Sequence, residues 1–420
     1  MKRIGAVLML IVCAAIGFWV FRELPRDDAD NGKQAEPGLS PDVLSAQWPA
    51  FQNGGPLHGA TVAMPLRAMS LLWEHKIEKG GESSPVIAGG VIYIGGMDGG
   101  VYAVDLVTGK MKWRYETKSV FSATPLVLGE MVFVGDEDGV FHAIDAKTGK
   151  QVWRFEAEAE IHSSANVCGG NVVFGSYDNH MYCLRAADGG LVWKFEAQAQ
   201  IHAALAVSDG LVFGGGCDHT LRAIDAQTGK EKWSFDVGAV IPTAPVCYEG
   251  KVAVGTMDGA VVCLKIADGS KLWEKVVEEE SFCCSLLVVI NYQFIPLWER
   301  GFEGENFYGS PAYSSGRIVI PSKKGAVFSL DANTGEIQWT FAARSGFDSS
   351  PAISGDGVYV TGKDGKLHVL DIRAGKEVWS FVAGGKILSS PAIGEGAVVF
   401  CDAAGHLYCL SCRKVEGSPQ

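Results

Sequence analysis

The sequence predicts an all-β protein, an eight-bladed β-propeller whose blades are four-stranded antiparallel sheets. The first observation is a repeat, since the segment AIDAKTGKQVW at residues 143–153 has close copies at residues 103–113 and 223–233. The second is the period, because the tryptophan that ends this segment recurs at one constant interval over most of the chain. These tryptophans are Trp73, Trp113, Trp153, Trp193, Trp233, Trp273, Trp339 and Trp379. A constant interval of this length is typical of an array of identical supersecondary units.

Each repeat contains four short strands joined by tight turns. In the first complete repeat, Pro85 lies in the first strand and the apolar run at residues 91–94 forms the second. The turn at residues 98–99, Asp-Gly, leads to a third run at residues 101–104, and a Thr-Gly-Lys turn returns the chain to the strand of Trp113. Four strands joined in this way form one antiparallel sheet of the size of a propeller blade.

A proline at one repeat position identifies the first strand as an edge. The prolines at this position are Pro85, Pro125, Pro245, Pro311, Pro351 and Pro391. Proline is tolerated in a sheet only where its missing N–H faces no neighbouring strand, so we expect the first strand to line the central channel. On the fourth strand, Trp153 and Phe155 lie two residues apart and share a face. That face should pack on the next blade as core.

The two ends of the array complete one another. The first tryptophan strand, residues 71–77, precedes any first strand, and the last unit, residues 386–410, has no tryptophan strand after it. Pairing the two partial units closes the ring and removes the free edges of an open array. The predicted propeller therefore extends over residues 48–412 as one monomeric ring, with an insertion at residues 276–307.

Composition argues against two classes of partner. Charged residues make up only 20% of the 420-residue chain and the formal net charge is -12. Nucleic acids and anionic lipid surfaces both require clustered Lys and Arg, so neither is expected as a partner.

Of the 11 cysteines, Cys183, Cys263 and Cys409 occupy a repeat position that elsewhere holds small hydrophobic residues. A small buried side chain explains these three better than a disulfide framework or a metal site.

The N-terminus contains a predicted membrane-targeting segment. Lys2 and Arg3 precede an uncharged apolar run at residues 4–21, which as a helix would span about 27 Å, close to the thickness of a bilayer core. We predict a signal anchor at residues 1–21 in the inner membrane, with the propeller in the periplasm of a Gram-negative bacterium. Residues 22–47 are acidic and proline-containing and predict a flexible tether, and residues 413–420 form a tail. The alternatives are a cleaved signal peptide and a lipoprotein acylated at Cys13.

Two stretches resemble a known family. The pattern AxDxxTGKxxW at residues 143–153 resembles the tryptophan-docking repeat of pyrroloquinoline quinone (PQQ)-like propellers, and residues 48–51, Trp-Pro-Ala-Phe, resemble the WPxF opening of many bacterial members. The resemblance covers residues 48–412. It implies one of two functions, because quinoprotein dehydrogenases of this family hold PQQ and calcium at the channel mouth, whereas its BamB-type lipoproteins of outer-membrane assembly are binding scaffolds.

Cys283 and Cys284 are the residues that favour an enzyme. Quinoprotein dehydrogenases carry a vicinal disulfide against the cofactor, but here the two cysteines lie in the irregular insertion, and the calcium ligands and catalytic aspartate of those enzymes have no match. Whether the two cysteines are bonded to each other stays open. We therefore expect a non-catalytic protein-interaction scaffold in envelope assembly that has no cofactor and no metal. A PQQ-dependent, alcohol dehydrogenase-like oxidoreductase is the alternative.

Two histidines predict a polar ring at the channel mouth. His162 and His202 stand one repeat apart, each just ahead of a first strand. With their repeat equivalents they give a candidate ligand site, which consists of Glu82, Ser122, His162, His202, Tyr308 and Asp348. Two histidines rarely suffice to bind a metal, so the alternatives are a small polar ligand and a solvated rim.

The insertion supplies a candidate partner-binding segment. The interval from Trp273 to Trp339 is much longer than the interval between the other tryptophans, and the extra segment is apolar. The candidate contact residues are Phe282, Cys283, Cys284, Phe294, Ile295, Leu297 and Trp298. The insertion joins an outer strand to the next first strand and so falls on the face of His162 and His202. It either binds a protein partner there or packs across the channel mouth.

Overall fold

The predicted architecture is confirmed. The computed structural model describes residues 47–61, 66, 68–277, 289–290, 293–294 and 306–411, which form an all-β ring of eight four-stranded antiparallel blades. In this part of the chain the only helical element is the 3-10 turn Phe51–Asn53, and no helix is long and apolar enough to cross a membrane. The predicted anchor, almost all of the tether and the tail lie outside the described residues.

Each blade has a first strand at the channel and a fourth strand at the periphery. The first strands are Val86–Ala88, Leu126–Leu128, Asn166–Cys168, Ala206–Ser208, Val246–Tyr248, Ala312–Ser314, Ala352–Ser354 and Ala392–Gly394. The second strands are Val91–Gly95, Met131–Gly135, Asn171–Gly175, Leu211–Gly214, Lys251–Gly255, Arg317–Pro321, Gly357–Thr361 and Ala397–Cys401. The third strands are Gly100–Asp105, Val140–Asp145, His180–Arg185, Thr220–Asp225, Ala260–Lys265, Ala326–Asp331, Lys366–Asp371 and His406–Ser411. The fourth strands are Met111–Glu116, Gln151–Glu156, Leu191–Glu196, Glu231–Asp236, Lys271–Val276, Ile337–Ala342, Glu377–Val382 and Ser70–Lys76.

The ring closes through a strand from the start of the propeller, as the sequence predicts. Ser70–Lys76 pairs antiparallel with His406–Ser411 and becomes the fourth strand of blade eight, with Trp73 opposite Cys409. The closing strand thereby covers an edge that an open array would expose.

Aromatic side chains hold adjacent blades together. The indole N–H of Trp153 in blade two donates a hydrogen bond of 2.9 Å to the carbonyl of Ala186 in blade three. The same bond is made, at 2.7–3.2 Å, by the indoles of Trp73, Trp113, Trp193, Trp233, Trp273 and Trp339. Between the same two blades, the rings of Phe141 and Phe174 stack at 4.1 Å. The aromatic face predicted to pack on the next blade therefore does so.

The segment before the ring closes one end of the channel. We call residues 48–61 the channel plug. Its carbonyls accept hydrogen bonds of 2.7–2.9 Å from equivalent N–H groups on the first strands of six blades. The donors are Ile87, Val127, Val207, Cys247, Tyr313 and Ile353. The plug ends as the short strand Ala60–Thr61, which pairs parallel with Ala352–Ser354. The inner edge that the prolines mark is therefore covered at this end by the chain itself.

Blade three meets the plug through a side chain instead. Asn166 Oδ1 accepts the N–H of Val167 at 2.8 Å and the N–H of Gly55 at 2.7 Å, while Nδ2 donates to the carbonyl of Gly55 at 2.8 Å. Gln52 of the plug has a left-handed backbone, with φ of 45°, and its Nε2 donates to the carbonyls of Ser310 and Pro311. These bonds offset the strain of that conformation.

Candidate functional site

The channel contains a cavity of about 390 Å³. Its wall includes the ring of residues that the sequence predicts at the channel mouth, and Phe51 of the channel plug forms part of its lining. All eight equivalent positions of that ring line the cavity: Glu82, Ser122, His162, His202, Pro242, Tyr308, Asp348 and Leu388. The structure thus brings together every residue of the candidate ligand site.

The two histidines lie side by side and are joined by a tyrosine. The ring centroids of His162 and His202 are 5.7 Å apart, and Tyr177 OH is 2.7 Å from Nδ1 of His202. Burial, and secondly His162, lowers the pKa of His202, while burial raises the pKa of Tyr177. The phenol hydroxyl and Nδ1 of the imidazole share this hydrogen bond, and the tautomer of His202 decides which of them donates. Nδ1 of His162 lies 3.0 Å from Ser122 Oγ.

The opposite side of the mouth carries the fixed positive charges. Lys363 makes an ion pair of 2.7 Å with Asp348, and the ammonium of Lys323 lies 3.8 Å from the centroid of the Tyr308 ring. Asp348 Oδ1 is buried and has no hydrogen-bond partner within the described protein. One oxygen of this carboxylate is therefore held by Lys363, and the other is closed off from solvent.

A second ring surrounds the mouth and was missed by sequence reasoning. It consists of Met97, Glu137, Tyr177, Cys217, Met257, Lys323, Lys363 and Ala403. Each backbone N–H in this ring donates to a carbonyl in the segment that leads into the first strand of the same blade, as Tyr177 does to Glu160. Most of these residues directly precede the aspartate of a turn, as Met97 precedes Asp98. The second ring could have been found in the sequence from this position.

Below the mouth, side-chain hydroxyls link the blades in a circle. We call Ser84, Thr124, Ser164, Ser310, Ser350 and Ser390 the hydroxyl collar. Each collar oxygen accepts, at 2.8–3.2 Å, the backbone N–H of the equivalent residue in the preceding blade, and Ser84 accepts from Ser390. Ala204 and Ala244 interrupt the circle, so the N–H groups of Ser164 and Ala204 find no such acceptor among the described residues.

The donor set at the mouth does not fit a calcium ion. Calcium takes six to eight oxygen ligands, several of them carboxylate. The carboxylates of the inner ring, Glu82 and Asp348, are separated by Leu388 of blade eight, and Asp348 is held by Lys363. In the described ranges, no three His, Cys, Asp or Glu side chains are placed to hold a metal.

The candidate partner-binding segment is only partly described. Phe294 ends the short strand Gln293–Phe294, which pairs antiparallel with Val289–Ile290. The other candidate contacts, Phe282, Cys283, Cys284, Ile295, Leu297 and Trp298, lie outside the described residues. Their contacts and the bonding of the two cysteines stay predictions.

Solved structures share this fold at low sequence identity. BamB from Moraxella catarrhalis superposes with a TM-score of 0.67 at 16% identity and covers 82% of this chain and 100% of its own. A quinohemoprotein alcohol dehydrogenase from Comamonas testosteroni gives 0.72 at 14% identity, over 90% of this chain and 83% of its own. The computationally designed protein Ika8 gives 0.68 at 18% identity, over 82% and 100%. An assembly factor, an enzyme and a design share one architecture, so these matches establish the fold alone.

Sequence comparison gives the family. No curated protein sequence matches the chain. The family described as outer membrane protein assembly factor BamB matches residues 66–167, 142–282 and 296–414, which together include nearly the whole propeller. The chain therefore belongs to the BamB family of PQQ-like propellers.

Proposed function

We propose that the chain is a non-catalytic protein-interaction scaffold in outer-membrane protein assembly. Residues 1–21 anchor it in the inner membrane and its propeller stands in the periplasm. The family match supports the assembly role. The observation that carries the non-catalytic part is the ion pair of 2.7 Å between Asp348 and Lys363, which engages one of the two inner-ring carboxylates that a metal cofactor would need.

The partner binds at the mouth face of the propeller. Met97 of the second ring is 38% exposed there, Cys217 is exposed, and Tyr177 and Met257 are half-buried. Methionine and tyrosine are enriched at protein interfaces, and charged residues such as Glu137 around them suit a polar rim. At the other end, the channel plug already occupies the inner edges of the blades.

A photocrosslinking amino acid tests this face. Placed at Met97 in living cells, it should crosslink to a component of the outer-membrane protein assembly machinery, identified by mass spectrometry. The matched control replaces Lys147, which lines a groove at the end of the channel plug and should give no such product. Crosslinks to that machinery from position 147 alone would mean that the partner binds the opposite face, and none from either position would refute the assembly role.

The dehydrogenase alternative has its own experiment. Purified protein is mixed with PQQ and calcium, passed through gel filtration and assayed for alcohol-dependent dye reduction. We expect no quinone absorbance to elute with the protein and no dye reduction. Retention of the quinone together with dye reduction would establish the enzyme.

Protease accessibility tests the location. Protease added to intact spheroplasts should digest the propeller, because the anchor exports it to the periplasmic side. A propeller that resists digestion until the cells are lysed would overturn the proposed orientation.

A further inference from the structure

We propose that the channel cavity binds a small, uncharged polyhydroxy compound of the size of a hexose. This binding site goes beyond the proposed scaffold function and is inferred from the cavity wall alone. The inference starts from hydrogen-bonding capacity at the cavity wall that the described protein atoms leave unused.

The hydroxyl collar supplies the donors. Each collar oxygen is held by a backbone N–H from a neighbouring blade, so its position is fixed. No acceptor within the described residues takes the O–H hydrogen of any of the six, and all six line the cavity. The unbonded N–H groups of Ser164 and Ala204 lie in the same wall. Buried donors are costly to leave unpaired, so a fitting occupant has several acceptor oxygens.

The mouth supplies acceptors as well as donors. The exposed carboxylate of Glu82 lines the cavity and can accept hydrogen bonds there. Nε2 of His202 is the ring nitrogen that Tyr177 leaves free, and it donates or accepts according to the tautomer of the imidazole. A hydroxyl group both donates and accepts, so a polyhydroxy compound can satisfy the two sets together, whereas a carboxylate cannot donate to Glu82.

The charges favour a neutral ligand over an anion. The cavity is lined by the carboxylates of Glu82 and Asp348 and by one ammonium, that of Lys323, which lies over the Tyr308 ring. Lys363 is already paired with Asp348. An anion would enter a site with no cationic excess, and a cation would meet the Lys323 ammonium and collar hydroxyls whose free hydrogens need an acceptor.

Size and shape are consistent with a sugar-like ring. The cavity volume of about 390 Å³ falls at the lower end of the range for small-molecule sites. Phe51 presents aromatic surface among the polar groups, against which a C–H face of a pyranose can pack.

The experiment is ligand-observed saturation-transfer NMR on the purified full chain. The probes are D-glucose, D-glucuronate and D-glucosamine, which differ in charge and share one ring. We expect saturable binding of glucose, with weaker binding of both charged analogues. S350A and T124V each remove one collar hydroxyl on different blades and should weaken glucose binding about fivefold, the usual effect of one hydrogen bond. The native collar already has alanine at 204 and 244, so S350A should fold, and a thermal melt verifies this for both variants.

A matched control and three contrary results decide the matter. S234A removes an exposed serine hydroxyl on a fourth strand and should leave glucose binding unchanged. The absence of binding by any probe to folded wild-type protein would show that the collar serves water alone and would overturn the proposal. Tighter binding of glucuronate than of glucose would replace the neutral ligand by an anion. Glucose binding that both folded collar variants retain in full would place the sugar elsewhere.

Discussion

Trp153 donates its indole N–H to the carbonyl of Ala186 at 2.9 Å, and this bond joins two blades that share no strand pairing. Gly189 lies against the same indole, since a Cβ on this glycine would be 2.6 Å from Trp153 Cε3. The constant spacing of tryptophan and glycine along the repeats therefore has a physical meaning: the tryptophan of one blade and the glycine of the next form a single contact. That contact recurs around the ring and sets how closely the blades approach.

Replacing Trp153 by phenylalanine should destabilise the propeller. W153F removes the donor and leaves the Ala186 carbonyl without its partner, which costs about 1–3 kcal/mol. The free energy of unfolding is measured by urea denaturation. V152A is the control, because Val152 is 51% exposed on the same strand and its truncation should change stability by less than about 0.5 kcal/mol. Equal stability of W153F and the wild type would contradict the role of the bond.

Substitutions at two glycines of the channel plug distinguish the cost of a close contact from the cost of backbone strain. Both have left-handed φ values, 54° for Gly55 and 61° for Gly59. A Cβ at Gly59 would lie 2.8 Å from the Ala312 Cβ and 3.1 Å from the Pro351 carbonyl oxygen, whereas a Cβ at Gly55 has no neighbour within 4 Å. G55A should therefore cost about 1 kcal/mol through its backbone alone. G59A should cost about 1–3 kcal/mol more, from overpacking.

Chemical denaturation of the two variants measures that difference directly. G59A is expected to unfold at a lower urea concentration than G55A and to loosen the plug from blades six and seven, where its clashes fall. Identical stability of the two variants would mean that the plug is not packed against the first strands.

The repeat predicted the ring but not the plug, because side chains hold the ring together whereas backbone groups hold the plug. Blade packing depends on side chains such as Trp153, which recur at a fixed spacing and can be read from the sequence. The plug is held mainly by its backbone carbonyls, as Pro49 accepts from Val127, and any residue can provide a carbonyl. The mouth ring around His162 could be predicted because all its residues occupy one position of the repeat, which can be read from the sequence. The second ring and the hydroxyl collar could not be predicted, because the sequence does not show which turns and which N–H groups converge at the channel.

Acid should destabilise the fold through His202. Burial, and secondly His162, lowers the pKa of this imidazole from its usual 6.5 in the folded protein. The unfolded chain then binds a proton more readily than the folded chain, so stability falls as the pH drops from 6.5 towards the lowered value. H202Q lacks the titrating group and should lose less stability over that interval, as measured by urea denaturation at several pH values. The same loss in H202Q and in the wild type would refute the assignment.

Excising residues 281–298 tests the insertion as a partner-binding segment. A short glycine linker in its place should leave the melting temperature of the propeller unchanged, because blades five and six are complete without these residues. Crosslinking from position 97 to the assembly machinery should be lost. A variant that unfolds would assign the segment to the core, and a variant that still captures the same partner would remove the segment from the interface.

The gap in the hydroxyl collar predicts a stabilising substitution. Ala204 holds the collar position of blade four, and the N–H of Ser164 in blade three has no acceptor within the described residues because alanine has no oxygen there. A204S should supply that oxygen in the geometry by which Ser164 itself accepts from Thr124 at 3.0 Å. One completed hydrogen bond should raise the free energy of unfolding by about 0.5–1.5 kcal/mol. S350A, which opens the same kind of gap between blades six and seven, should lower it by a similar amount. If A204S is no more stable than the wild type while S350A is destabilised, the space beside Ala204 does not admit a hydroxyl, and the two alanines reflect crowding at the histidine side of the mouth rather than an unfilled acceptor.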